Sequence, residues 1–523
     1  MADPVTVVGH CYKWDIHEVV EEDEPARVQI RAWCLDRKTP DHDSESYLLR
    51  IENFSAFCHI ELPKSINGRP KTWDRLSINA YMSWLCGKLG QDKPIKASFA
   101  MKPKIYFYRA SNEAFPMLLV HFNSMKAMTH CENFLKTPRH VTDLGLIKAN
   151  VWETSITVVR KLLTTKNCGY SQWFSIEGVP IEDEDLRTST LAREYIADWR
   201  TMTPLGAAET KGWVSNPRIL AFDIETYSNN HRAFPNKFHA LHVAYMVSCI
   251  FQRLGDKSSR KRYGILLGEC DEMLEPDGTR FAELSQVKSE LGLVNEMGRI
   301  IMKTDPEIIS GYNIVSFDYP YLDARLKRRG HEWPQMGRLK DVTPVMTTKT
   351  WKSSAYGHNR ISILHMDGRI SIDMLPLVKR DYKLDKYDLD FVSRFFLGDK
   401  GGKHDIKARE MFVILENLRR RKEELDNTPN DEEKKRFYAD ARADMTRVMK
   451  YCIQDSELVI ELFEKLNIWI ALVELSNIVG VGIMELFTSG QQIRCVSQMY
   501  NLAATLNFVL DKREMLKVHF SGG

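Results

Sequence analysis

The run Arg218-Ile219-Leu220-Ala221-Phe222-Asp223-Ile224-Glu225-Thr226 is apolar for most of its length and follows the break Asn216-Pro217. Such a short apolar run predicts a buried strand. Successive side chains on a strand point to opposite faces, so Asp223 and Glu225 emerge on the same side. Two acidic segments follow. Gly311-Tyr312-Asn313-Ile314-Val315-Ser316-Phe317-Asp318 runs directly into a helical pattern. Tyr451-Cys452-Ile453-Gln454-Asp455 lies in a long amphipathic helix, where residues at i and i+4 share a face. If the chain brings them together, Asp223, Glu225, Asp318 and Asp455 form an acidic cluster with Tyr451 beside it. Such a cluster cannot stay ionised cheaply without cations among its members. Hard divalent cations, Mg2+ with Mn2+ as an alternative, take oxygen ligands. A pair of them about 3.5–4 Å apart is a clamp for breaking phosphodiester bonds.

Taken singly, each segment has an ordinary structural explanation. Asp-x-Glu on a strand is commonly a solvated edge, Tyr-x-x-x-Asp is frequent in helices, and Asp318 reads as a helix N-terminal cap with Pro320 behind it. Their order and surroundings carry the weight.

Composition narrows the classes. A chain of 523 residues is too long for one ordinary core and predicts two or three domains. Apolar content of 43% and charged content of 27% fit a globular protein, and the net charge of +3 does not by itself argue for nucleic acid. Arg260-Lys261-Arg262, Lys327-Arg328-Arg329 and Arg419-Arg420-Arg421-Lys422 read first as solvated faces. The ten cysteines are scattered without a Cys-x-x-Cys pair, which speaks against zinc or iron–sulfur sites and for reduced thiols in the nucleus or cytoplasm. The N-terminus lacks the regions of a signal peptide and no apolar stretch is long enough to span a membrane, so neither secretion nor membrane insertion is expected. Gly398-Asp399-Lys400-Gly401-Gly402-Lys403 fails the phosphate-loop pattern, because Leu397 and His404 stand at its required positions, and reads as a turn.

Residues 1–215 read as a β-rich domain, with strands over 5–8, 28–32, 47–51, 57–62, 104–108 and 117–121 and helices over 124–135 and 156–163. A linker with Pro204, Gly206 and Gly212 leads into an α/β segment over 216–470. There, 257–262 reads as a charged loop, 287–302, 319–329 and 406–425 as helices, and 347–369 as a hairpin turning at Tyr356-Gly357-His358-Asn359. Asp373, in an apolar strand-like run, reads as a satisfied buried acid or a supporting group, not as a ligand.

The three acidic segments resemble the exonuclease motifs of family B DNA polymerases: Phe-Asp-Ile-Glu, Gly-Tyr-Asn-x-x-x-Phe-Asp-x-Pro-Tyr-Leu and Tyr-Cys-x-x-Asp occur in that family's order. The similarity extends to Gly368-Arg369-Ile370-Ser371-Ile372-Asp373-Met374-Leu375, Tyr382-Lys383-Leu384 and Tyr387-Asp388-Leu389. It includes Trp152-Glu153-Thr154-Ser155, Trp173-Phe174 and Gly490-Gln491-Gln492-Ile493-Arg494. It is nearest to the eukaryotic replicative and large-DNA-virus branch.

The resemblance implies a ribonuclease-H-like α/β exonuclease domain with a β-rich (α+β) N-terminal domain. Residues 471–523 would return to that domain and lead toward a palm. It implies proofreading by two-metal 3′→5′ hydrolysis. Asp223 would bridge both ions, Glu225 and Asp455 complete the site of the ion that activates water, and Asp318 hold the second ion mainly through water. Tyr451 would orient the water, Asn313 and Phe317 would hold the terminal nucleotides, and Thr226 would touch the 3′ end. The hairpin near 353–365 resembles the element that moves a primer end between sites.

The family's polymerase motifs, such as Tyr-Gly-Asp-Thr-Asp, are missing from this sequence. The chain is therefore expected to be a truncation or one product of a split gene. Palm, fingers and thumb would be supplied in cis or by a second polypeptide. The implied partners are primer–template DNA, a single-stranded 3′ end and a processivity factor. The implied location is a host-cell nucleus or a viral factory. A stand-alone repair exonuclease and a non-catalytic DNA-binding or assembly module are the alternatives. The polymerase-like tail argues against the first and the intact acids against the second.

Overall fold

The computed structural model describes residues 3–21, 25–105, 113–353, 357–398 and 406–511, with side chains of 351–353 and 357–359 left aside. Its centre is a six-stranded mixed sheet in the order Glu283–Val287, Asp256–Leu267, Ala244–Arg253, Arg218–Thr226, Ile308–Gly311, Ile370–Asp373. Arg218–Thr226 lies inside it, antiparallel to Ala244–Arg253 and parallel to Ile308–Gly311, which in turn runs parallel to Ile370–Asp373. Burial on both faces explains its near-continuous apolar run. One face is covered by the helices Glu290–Thr304 and Asp318–Arg328, the other by Glu432–Lys465. This is the ribonuclease-H-like arrangement, beside a β-rich N-terminal region.

In that region Val5–Val19 pairs with both Arg27–Leu35 and Trp173–Pro180, so the first sheet closes on itself through Ser46–Glu52 and Glu194–Asp198. A four-stranded sheet orders Asn150–Trp152, Ala56–Glu61, Ala114–Phe122 and Lys96–Pro103, with the helices Arg75–Leu89 and Met125–Leu135 contributing to the same core. The cores are not separated cleanly. Tyr12, Trp33, Leu35 and Leu48 belong to the same buried cluster as the central sheet, and so do Leu472, Val481, Ile483 and Leu486. The C-terminal part also returns to the N-terminal region: Arg160 donates to the Gly480 carbonyl and to Ser497 Oγ (3.0 Å), Thr164 bonds Asn501, and Val509 N donates to Pro103 O (2.9 Å).

A buried ion network joins the central sheet to the N-terminal strands. Arg338, with no exposed side-chain surface, donates to Asp305, Glu307 (2.6 Å), the Tyr12 hydroxyl (2.6 Å) and Ser46 Oγ (3.0 Å). Arg218 and Arg369 complete it through Glu307 and Asp305.

Several expectations are corrected. Residues 257–262 are not a loop but part of the strand Asp256–Leu267. Its backbone joins the Ala244–Arg253 ladder, while Arg260 and Arg262 reach Glu457 and Glu461 on the long helix. The charges satisfy a neighbour rather than solvent. Of the expected turn, Gly357, His358 and Asn359 lie in the strand Gly357–His365, paired back to Val345–Ser353, and Tyr356 lies outside the described residues. Residues 106–108 of the strand expected over 104–108 also lie outside them, and so do residues 399–403 of the expected turn. The strand Lys96–Pro103 carries no apolar alternation because it is an exposed edge. Asp318 does not cap a helix: Phe317 is the cap residue and Asp318 the first helical one.

Candidate active site

The acids gather at the carboxyl ends of the two central parallel strands, the usual place for a site in an open α/β sheet. Asp223 and Glu225 project from Arg218–Thr226 toward the helix Glu432–Lys465, which packs across that strand. The helix is held in rotation by Ser248, whose hydroxyl donates to the Cys452 carbonyl (2.8 Å) and meets Ser456 Oγ (2.6 Å). That places Tyr451, Cys452 and Asp455 against the two strand acids. Carboxylate oxygens of Asp223 and Glu225 and Cys452 Sγ lie within 4.8 Å of one another. Cys452 Sγ is 3.8 Å from Asp223 Oδ2, and burial, then Asp223 and Glu225, push its thiol well above the ordinary range. It stands there as a protonated neighbour. Tyr451 hydrogen-bonds Asp455. Burial, then Asp455, Glu225 and Asp223, raise its phenol well above the ordinary range. It is therefore a neutral donor and not a base.

Asp318 arrives from the other side. The Gly311 backbone passes so close to the first strand that a Cβ there would stand 2.8 Å from the Phe222 carbonyl oxygen and strike Ile314. Beyond it Asn313 takes a left-handed conformation, φ +71°. Asp373 makes this possible: fully buried, it accepts from the backbone N–H of Asn313 (2.7 Å), Val315 (3.0 Å) and Leu375 (3.0 Å). Asp373 is thus no member of the acid cluster; it shapes the loop that delivers Asp318. The Asp318 carboxylate, 1% exposed, accepts from Ile224 N (3.3 Å), between Asp223 and Glu225. Burial, then Asp223 and Asp373, push its pKa well above the carboxylate range.

Asp223, Glu225, Tyr451 and Asp455 therefore share one site, and Asp318 joins it through the Ile224 amide and the charge of Asp223. Phe317 lies half-buried beside Asp318, its ring 5.4 Å from Phe234 and 5.6 Å from Tyr321. Thr226 is buried at the strand's end, where the ladder shifts register between Glu225 and Thr226. Sequence reasoning did not single out Cys452, Phe234 or Tyr245. The Tyr245 hydroxyl is buried beside Glu225 and finds no hydrogen-bond partner among the described residues.

The donor set fits hard divalent cations: the carboxylate oxygens of Asp223 and Glu225 converge, and burial, then Asp223 and Asp373, pushes Asp318 up beside them. Asp223, Glu225, Asp318 and Asp455 are the groups able to hold them. Cys452, protonated and sulfur-bearing, is the wrong donor for such ions.

Residues 149–392 match the family model described as DNA polymerase family B, exonuclease domain. The chain is 30% identical to DNA polymerase 120R of Invertebrate iridescent virus 3, over 96% of this chain and 42% of that protein. It is 24% identical to the DNA polymerase delta catalytic subunit of Plasmodium falciparum, over 90% of this chain and 40% of that one. The chain thus spans less than half the length of these relatives. Its fold is similar to the family B DNA polymerase of the archaeon Pyrobaculum calidifontis, with TM-score 0.62 at 16% identity, covering 99% of this chain and 53% of that one. Among the described residues no helix is long and apolar enough to cross a membrane.

Proposed function

Starting from this chain's place among the family B DNA polymerases, as their N-terminal and exonuclease region, we propose that it removes nucleotides from the 3′ end of single-stranded DNA by metal-dependent hydrolysis. The observation that carries this reading is the meeting of Asp223 and Glu225 with Tyr451 and Asp455 across a strand–helix contact, with Asp318 tied to the amide between the first two.

Asp223, Glu225, Asp318 and Asp455 would hold the ions, with Mg2+ as the first candidate and Mn2+ as a substitute. Two such ions, when bound, would activate water and neutralise charge on the scissile phosphate. The chain's own groups do the rest. Tyr451, its one hydroxyl proton engaged with Asp455, is left to accept a hydrogen bond from the attacking water and so orient it. Asn313 and Phe317 fix the terminal nucleotide in the mouth, and Thr226 closes the end of the strand against the 3′ terminus. A frayed end enters more readily than a paired one, because unpairing a mismatch costs less. That selectivity makes the activity a proofreading one.

The reading places the chain beside a polymerase portion of the kind its relatives carry, in the same polypeptide or a second one, acting on primer–template DNA in the nucleus or cytoplasm of an infected or replicating cell. A processivity factor would join that assembly. Residues 1–215, 216–470 and 471–523 serve as N-terminal domain, exonuclease and return segment. The test is digestion of 5′-labelled single-stranded DNA with and without Mg2+. Wild type should shorten the strand from its 3′ end only with metal, and Asp223→Ala/Glu225→Ala should leave it intact. Equal digestion by both proteins would refute the assignment.

A further inference from the structure

The loop between Arg218–Thr226 and Ala244–Arg253 exposes three large apolar side chains in a row along the chain: Phe234 is 76% exposed, Phe238 68% and Leu241 59%. Solvent does not favour such a display, and the loop is not loose. Arg325, 2% exposed and paired to Glu290 at 2.8 Å, donates to the carbonyls of His239 (2.7 Å) and Lys237 (3.3 Å). Arg328 donates to the Phe238 carbonyl (2.8 Å). These arginines hold the backbone inward along the helix Asp318–Arg328, which turns the rings outward.

The loop follows that helix from end to end. Phe234 meets Phe317, next to the helix's first residue, with ring centroids 5.4 Å apart. Phe238 is tied to Arg328, its last. Eleven residues at about 1.5 Å each span roughly 16 Å, or about four to five nucleotides of a stacked strand. Cations accompany the rings. Arg232 is exposed, and Lys237 lies over the Phe238 ring at 5.4 Å. Lys237 also feels Arg360 of the neighbouring hairpin: burial, then that like charge, lowers its pKa.

We propose that residues 229–242 form a stacking platform for the single-stranded DNA leading into the site. Phe234 receives the base beside Phe317. Phe238 receives one about four nucleotides from the terminus, and Lys237, held over the Phe238 ring, faces the intervening phosphates. Aromatic faces interleaved with cations and continuous with the site suit a nucleic-acid strand better than a protein partner. This inference rests on the exonuclease reading for its direction, but its test does not need turnover.

The test is fluorescence anisotropy of 5′-fluorescein-labelled oligothymidylates of three and ten nucleotides in Ca2+. The proteins are wild type, Phe238→Ala, and the control Leu186→Ala at a 66%-exposed site in the N-terminal region. Phe238→Ala should weaken decamer binding about tenfold and trimer binding much less, whereas Leu186→Ala should change neither. Unchanged decamer binding by Phe238→Ala would overturn the platform and leave a protein-facing patch. Equal losses on trimer and decamer would overturn it as well, by showing a general disturbance of the site. Failure of wild type to hydrolyse either oligomer in Mg2+ would count against the exonuclease reading, while the binding pattern still judges the platform.

Discussion

Arg218 and Glu225 stand near opposite ends of one strand, and the acids at those two ends keep opposite company. At the amino end, Glu307 and Asp305 are met by Arg218, Arg338 and Arg369. Burial alone would push Glu307 up, but Arg338 and Arg218 hold it well below the carboxylate range. At the carboxyl end, Asp318 is equally buried, and the charges that reach it, Asp223 and Asp373, are acidic and push it up. The same sheet therefore carries one acid cluster met by its own arginines and another in which acids push on one another. The first explains stability. The second sets acid against acid, the arrangement the proposed cation site requires.

The largest expected effect separates the two ends by activity. Asp223→Ala/Glu225→Ala should lower hydrolysis by about 10⁴-fold or more, yet not lower the melting temperature of the metal-free protein, because like-charge repulsion is relieved. A matched loss of stability would erase the distinction. At the other end, Glu307→Gln should cost about 3–5 kcal/mol at neutral pH, since it strands buried guanidinium charge; chemical denaturation measures it. The sign with pH follows from the depressed pKa. The Glu307 contribution is complete above the unfolded value of about 4.3 and is lost as pH falls through the folded one. The gap between wild type and Glu307→Gln should therefore narrow as the pH drops below about 4.

Asp373→Asn lies between the extremes. An amide nitrogen would confront one of the backbone N–H groups of Asn313, Val315 or Leu375, at a cost of about 1–3 kcal/mol in stability. Activity should fall too, with a raised Mg2+ requirement, because the loop carrying Asp318 loosens. The smallest change is Tyr451→Phe. Loss of one hydrogen bond to water should slow hydrolysis roughly tenfold, with a stability change of about 1 kcal/mol from the lost bond to Asp455 and no change in DNA binding.

Much of the site can be read from local periods in the sequence. Period two put Asp223 and Glu225 on one face, and the helical i, i+4 spacing put Tyr451 with Asp455. The burial of the central strand follows from its apolar run. What local pattern does not carry is the partner across space. Asp373 looked like any buried acid until its three amides were visible, and nothing near Phe234 in the sequence announces Phe317. Arg260 and Arg262 read as loop charges because their partners Glu457 and Glu461 lie about two hundred residues away.

If the carboxyl-end acids form the proposed cation site, titration of Mn2+ followed by electron paramagnetic resonance detects it directly. Wild type should bind Mn2+ saturably, with Mg2+ competing, and Asp223→Ala/Glu225→Ala should lose that binding while staying folded. Saturable binding that survives the double substitution, or no binding by wild type at millimolar metal, would contradict it.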